Sequence, residues 1–220
     1  MPHTLIAGVI NSMQIDPEKQ TYKENYKLMI GSILPRPIAF VSSVSPTGVL
    51  NLAPFSFFMG VTSKPLTIAF APTRKRLSGD KKDTLSNIEA TREFVVNIVS
   101  EDNVVQMNET ATEFPSDIDE FEVSGLTAVS SSIVKPPRVA ESPISMECTL
   151  YDVVYIGADE PGGGAIVIGT IVMFHIQDDL IENGRIDIGK LRPVGRLAGQ
   201  EYTTLGKRFI LERKPYKPNR

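Results

Sequence analysis

Lys82 stands directly before Asp83 and Thr84, at a point where a polar loop gives way to a helix. Free N–H groups at a helix start face an anion readily, and a lysine there adds a full charge. Arg74, Lys75 and Arg76 lie in the same loop. Taken alone, such a basic cluster reads first as a solvated loop. Other chemistry is scarce. The chain holds two histidines, His3 and His175, and one cysteine, Cys148. The usual zinc spacings are therefore absent, and no metal ligand set is expected. A Ser-His-Asp triad would have to use His175, and no Gly-x-Ser-x-Gly elbow accompanies it. Neither a Gly-x-x-x-x-Gly-Lys-[Ser/Thr] loop nor a Gly-x-Gly-x-x-Gly helix opening occurs. Redox chemistry would need a borrowed cofactor. Cys148 falls in an apolar alternation, which favours a buried structural thiol over a reactive one. His175 ends a strand, where contact with a ligand and partial exposure are both open readings.

The elements that must position these residues are mostly strands. Thr21 to Glu24 forms a capping-box pattern that starts a helix bearing Tyr22, Tyr26, Met29 and Ile30 on one face. Pro35 and Pro37 stop it. Ile38 to Val44 reads as a strand, Ser45-Pro46-Thr47-Gly48 as a turn, and Val49 to Phe58 as the returning strand. Pro54 breaks that return and marks an edge or bulge. Leu66 to Ala71 is a third strand, and the loop Thr73 to Lys82 leads into a helix from Asp83 or Thr84 to about Arg92. Phe94 to Val99 is another strand, and Glu101 to Phe114 a second helix. From Ile144 to Ile156 the sequence alternates, with Ser145, Glu147, Thr149 and Tyr151 expected on the polar face. Ala165 to Ile176 is a further long strand. Gly162-Gly163-Gly164 has the composition of a phosphate loop, but no helix follows it, so it reads as a hairpin tip.

With 41% hydrophobic and 22% charged residues over 220 positions, the chain has the composition of a folded soluble protein. One domain is expected over 1–220, with 1–20 an N-terminal extension and 207–220 a peripheral tail. A net charge of −3 gives no electrostatic reason for nucleic acid or anionic membrane. No apolar run reaches the ~18 residues of a membrane span. The start of the chain lacks the basic region of a signal peptide. A lone cysteine fits a reducing, cytoplasmic setting.

More specific information comes from a series of fragments in register. Pro35-Arg36-Pro37-Ile38-Ala39-Phe40-Val41-Ser42-Ser43 precedes Gly48-Val49-Leu50-Asn51-Leu52-Ala53-Pro54-Phe55-Ser56-Phe57-Phe58. Lys64 to Phe70, Lys82 to Ile88 and Glu93 to Asn97 follow, and Pro193 to Tyr202 supplies a shorter echo. Over about residues 20–200 this series resembles the flavin reductase-like family of FMN-binding split barrels. The resemblance implies a mainly β fold, a six-stranded Greek-key split barrel with a few peripheral helices. It also implies a homodimer with FMN near the subunit interface.

The roles it suggests agree with the residue chemistry. Lys82, the first-turn amides and the Thr84 hydroxyl would hold the phosphate, with Asp83 as helix cap; Arg36 in the Pro35–Ser43 fragment and Arg196 in the Pro193–Tyr202 fragment are implied as further cofactor-binding residues. Ser42, Ser43, Asn51, Ala53 and Ser56, small or polar on a strand pair otherwise bulky, would let the ring approach a bulged backbone. Asn51 and Ser56 read equally as solvent-facing strand residues. Phe55, Phe57 and Phe58 are candidates to shield the ring, with core packing expected for at least one. No side chain is expected to be catalytic, since hydride would pass from NADH or NADPH to flavin N5. Reduced flavin would serve a partner oxygenase or another acceptor. The alternative is a non-enzymatic flavin carrier or electron-transfer protein of the same fold. A pyridoxamine phosphate oxidase-type barrel and a ligand-free structural barrel rank below these.

Overall fold

The computed structural model describes residues 12–216. The expected extension at 1–20 and tail at 207–220 therefore fall partly outside the described residues, and His3 wholly so. Helix α1 (Tyr22–Ser32) opens with the capping box: Thr21 accepts from the Glu24 amide at 3.3 Å, and Glu24 accepts from the Thr21 amide at 2.8 Å. Only Ile30 of its expected face is buried; Tyr22, Tyr26 and Met29 stay exposed.

Seven antiparallel strands form the main sheet. They are β1 (Ala39–Val44), β2 (Leu50–Phe55), β3 (Phe58–Ser63), β4 (Leu66–Phe70), β5 (Glu93–Ile98), β8 (Ile144–Ile156) and β9 (Gly164–Ile176). Their order is β2-β1-β5-β8-β9-β4-β3. Two-residue pairs complete the β structure: β6 (Ala128–Val129) with β7 (Arg138–Val139), β10 (Ile181–Glu182) with β11 (Arg185–Ile186), and β12 (Gly195–Arg196) with β13 (Tyr202–Thr203). The sheet has one strand more than the six expected. The return strand expected over Val49–Phe58 ends at Phe55, and after Ser56 and Phe57 the chain starts β3. Those two residues join the sheet's opposite edges, so the sheet curls on itself. Pro54 sits on the edge strand β2, where a missing N–H is tolerated.

The curled sheet encloses Val41, Phe55, Ile68, Phe70, Phe94, Val96, Met146, Cys148 and Val167, with Leu85 and Ile88 of α2 (Asp83–Thr91). Phe94 fills the space beside Gly169, where an added Cβ would lie 2.3 Å from the ring. A second core on the outer side of β1 gathers Phe40, Leu52, Met107 and Phe121 under α3 (Val104–Glu109) and α4 (Glu120–Ser124). Two expectations need correction here. The helix expected over Glu101–Phe114 is only α3, because Thr110 turns its hydroxyl back to the Met107 carbonyl as the helix ends. The polar face expected for β8 faces solvent only toward its far end, at Tyr151 and partly at Thr149. Register shifts after Glu147 and after Leu150 break the alternation, Ser145 and Glu147 are buried, and Val154 and Ile156 are exposed at the strand tip.

Candidate functional site

A cleft of about 180 Å³ opens where β2 turns into β3. One wall is the run Ala53 to Phe57; the other is the segment Thr110 to Phe114. Lys75, Lys82, Asp83 and Thr84 close one end, and Tyr26 and Glu120 also line it. Tyr26 meets Phe57 edge-on, with ring centroids 6.4 Å apart. Phe55 points into the barrel core and Phe58 packs against it, leaving Phe57 as the phenylalanine that flanks the cleft with its side chain free of the core.

Helix α2 begins at the end of the cleft, and its start differs from the expectation for Asp83. Lys82, not Asp83, occupies the cap position, and no side chain caps the first amides. Asp83 is the first helical residue, and its carboxylate pairs with Lys75 at 3.0 Å. An uncapped helix N-terminus flanked by two lysines is a donor set suited to phosphate. Thr84 is buried at the edge of the cleft, and its hydroxyl donates to Asn51 Oδ1 at 2.6 Å.

Asn51 is the centre of a closed network. Its Oδ1 also accepts from Ser43 at 3.2 Å, and its Nδ2 donates to Glu120 at 3.0 and 3.1 Å. Glu120 accepts from the Leu52 amide at 3.0 Å as well. Burial raises the Glu120 pKa, against the hydrogen bonds from Leu52 and Asn51, and the nearby Asp83 charge adds to the rise. Asn87 donates to Ser43 at 3.2 Å. The network locks α2 and α4 onto β1 and β2 just behind the cleft.

Of the residues singled out in the sequence, Asn51, Ala53, Ser56, Phe57, Lys82, Asp83 and Thr84 therefore meet at one cleft. Arg36, Ser42, Ser43 and Arg196 do not line it. The Arg36 guanidinium is buried among the carbonyls of Ile30, Ile33 and Leu197 at 2.8, 2.9 and 2.8 Å, and reaches Ser56 Oγ at 3.3 Å. Ser42 donates to the Pro137 carbonyl. Arg196 lies over the Tyr202 ring, 4.4 Å from its centroid. Arg74 pairs with Asp159 of the β8–β9 hairpin, and the Arg74 amide donates to the Gly163 carbonyl at 2.9 Å. The glycine run is thus a hairpin tip, with no room for a Cβ at Gly163.

Nothing in the sequence pattern assigns Glu113 or Glu120 to the cleft, and Tyr26 is expected only as part of a helix face. Glu113 was hidden inside the overlong helix; the threonines at 110 and 112 and Pro115 were the signal that the helix stops early. His175 pairs with Glu147, which is fully buried. Burial works to raise the Glu147 pKa, but the amides of Ser132, Ile133 and Val134 and the His175 ring bring it down to about 2. Burial, with the Glu147 charge beside it, pushes the Cys148 thiol well above its ordinary value. Among the described residues no helix is long and apolar enough to cross a membrane, and no group of three or more His, Cys, Asp or Glu residues could hold a metal ion.

A curled antiparallel sheet with a cleft at its two-residue corner defines a class, and comparison with known proteins identifies it. The family model of the flavin reductase like domain matches residues 30–191, and the chain belongs to that family. The solved structure of nitrilotriacetate monooxygenase component B from Bacillus cereus is 43% identical, with a TM-score of 0.87 over 91% of this chain and 98% of that one. The 2-nitrobenzoate 2-nitroreductase NbaA of Pseudomonas fluorescens is 31% identical, with a TM-score of 0.82 over 94% and 99% of the two chains. A split-barrel protein from Shewanella frigidimarina, 22% identical, has a TM-score of 0.77 over 94% and 100%, which shows the fold. The protein is a mainly β split barrel of the flavin reductase-like family.

Proposed function

We propose that the protein binds FMN in the cleft and acts as an NAD(P)H-dependent flavin reductase. One observation carries the reading: the uncapped start of α2, beside Lys82 and Lys75, lies at the end of a cleft walled by the edge strand β2 and its turn into β3. The phosphate sits at the first amides of α2 and the Lys82 ammonium. The ring lies along Ala53 to Phe57, with Ser56 and the backbone as polar partners and Phe57 and Tyr26 excluding water. When bound, FMN supplies a hydride acceptor at its N5, and nicotinamide needs only an open face beside it. The chain's residues bind and orient; none is assigned proton transfer.

The chain functions as a single domain, in the cytoplasm, and as a homodimer. The dimer covers apolar surface such as Met59 and Val61 of edge strand β3, and Tyr26 and Met29 of α1. An oxygenase is the favoured partner for reduced flavin, in view of the component B relative; a nitro compound is the second acceptor class, in view of the nitroreductase relative. A flavin carrier would keep every contact named above and lack the nicotinamide reaction. Titration with FMN and riboflavin, followed by anaerobic addition of NADH or NADPH, separates these readings. FMN should bind more tightly than riboflavin, and its absorbance should bleach with one of the two nucleotides. Bleaching by dithionite alone would leave the carrier reading. No binding of either flavin would end both.

A further inference from the structure

Glu113 reaches Lys82 from the opposite wall of the cleft. Its Oε1 accepts from Lys82 Nζ at 2.6 Å and from the Arg76 amide at 3.3 Å. The two side chains keep 25% and 34% of their surface exposed, so both stay within reach of water and of a ligand. Burial works to raise the Glu113 pKa, but the hydrogen bond and charge of Lys82, with the Arg76 amide and charge, carry it below the ordinary carboxylate value. Glu113 is therefore an anion at neutral pH.

The charges around the cleft make this pair consequential. Lys75 and Lys82 stand against Asp83, Glu113 and Glu120. Lys75 is already paired with Asp83 at 3.0 Å, and Lys82 with Glu113. A phosphate brought to Lys82 meets a cation whose charge is already answered. Either the carboxylate gives way, or two anions share one ammonium; both weaken the hold on phosphate.

Resting on the FMN reading above, we propose that Glu113 is an intramolecular competitor for the phosphate at Lys82, loosening the cleft's grip so that flavin exchanges rather than stays. Glu113 is then an affinity-determining residue with no part in the hydride step. It also narrows the preference for FMN over riboflavin below what Lys82 and α2 would give unopposed.

Equilibrium binding of FMN and riboflavin to wild type, Glu113→Gln and Glu113→Asp, with the FMN dissociation rate, tests this. Glu113→Gln should bind FMN about two- to fivefold more tightly, the upper part of the range expected for removing one partly exposed charge pair. Its dissociation rate should fall by a similar factor, and riboflavin affinity should not move. Glu113→Asp keeps the charge and should stay near wild type. FMN affinity unchanged or weakened in Glu113→Gln would overturn the proposal and make Glu113 a residue that orients Lys82. Riboflavin tightening alongside FMN would overturn it too, by pointing to a general change in the cleft. If wild type binds both flavins equally and Glu113→Gln creates no preference, the phosphate assignment itself fails. A wild type that prefers FMN beside an unresponsive variant removes the competitor alone.

Discussion

The Asn51 amide nitrogen lies 3.0 Å from one oxygen of Glu120 and 3.1 Å from the other, so the amide donates to a single buried carboxylate. With Thr84 and Ser43 donating to its oxygen, the Asn51 carbonyl is fully engaged and its amide is turned to Glu120, so the side chain is held as part of the network behind the cleft. Asn51→Asp would place two carboxylates in contact. It should lower stability by about 2–4 kcal/mol at pH 8, because one buried acid must then be protonated or unpaired. Part of that loss should return at pH 5. Thermal unfolding at the two pH values checks this; equal losses at both would mean that Asn51 matters by shape alone.

Lys82→Ala should weaken FMN binding about tenfold, the lower end of the range for one charge-assisted hydrogen bond, since Lys82 is partly exposed. Lys190→Ala, whose ammonium donates to the Asp179 carbonyl at 2.8 Å, should leave FMN affinity unchanged. Riboflavin binding should change in neither. Fluorescence titration measures all four values, and matched losses for both flavins would move the phosphate elsewhere.

Arg36→Lys distinguishes a structural pin from a ligand contact. A lysine cannot fork to the carbonyls of Ile30, Ile33 and Leu197 at once. The variant should lose about 2–3 kcal/mol of stability through buried acceptors left unpaired. FMN affinity of the folded fraction should stay within about twofold, a difference of less than about 0.5 kcal/mol. Urea unfolding beside flavin titration reads both, and intact stability with lost affinity would restore Arg36 to the site.

Glu147 governs acid stability. Its pKa is about 2 in the fold, below the ordinary carboxylate value, so its stabilisation is complete above the unfolded pKa and is lost as pH falls from about 4.5 toward 2. The contribution at neutral pH is about 3 kcal/mol. Glu147→Gln should therefore be clearly less stable than wild type at pH 7, and the gap should shrink by pH 3. Denaturant midpoints at both values test it. A gap that is constant with pH would assign the loss to geometry instead of charge.

Gly169→Ala should destabilise by about 1–3 kcal/mol, the usual range for overpacking, since the new methyl would lie 2.3 Å from the Phe94 ring. Adding Phe94→Leu should recover part of the loss. Calorimetric unfolding of the single and double variants checks the coupling.

How much of this was legible depends on the range of the forces involved. The capping box at Thr21, the turn at Gly48 and the strands Phe94 to Ile98 and Ala165 to Ile176 are set by neighbours in sequence, and the residues announce them. So is the approach of Lys82 to a helix start. The roles of Arg36, Glu120 and Glu147 are set by carbonyls and amides from distant segments. Nothing local distinguishes a solvent-facing glutamate in an alternating strand from one that three loop amides will cover. The register shifts in β8 are likewise decided by both neighbouring strands, and alternation alone cannot display them.

The two-residue corner at Ser56 and Phe57 has a mechanical consequence. It links the first and last strands of the sheet, and the cleft lies against it. Whatever fills the cleft leans on the seam where the sheet begins and ends, and so acts as a fastener on the barrel as a whole. A ligand bound only there stabilises the folded chain by mass action, by about 2.7 kcal/mol at one hundred times its dissociation constant. Removal of such a ligand would return the folded chain to its unliganded stability, a loss of the same amount.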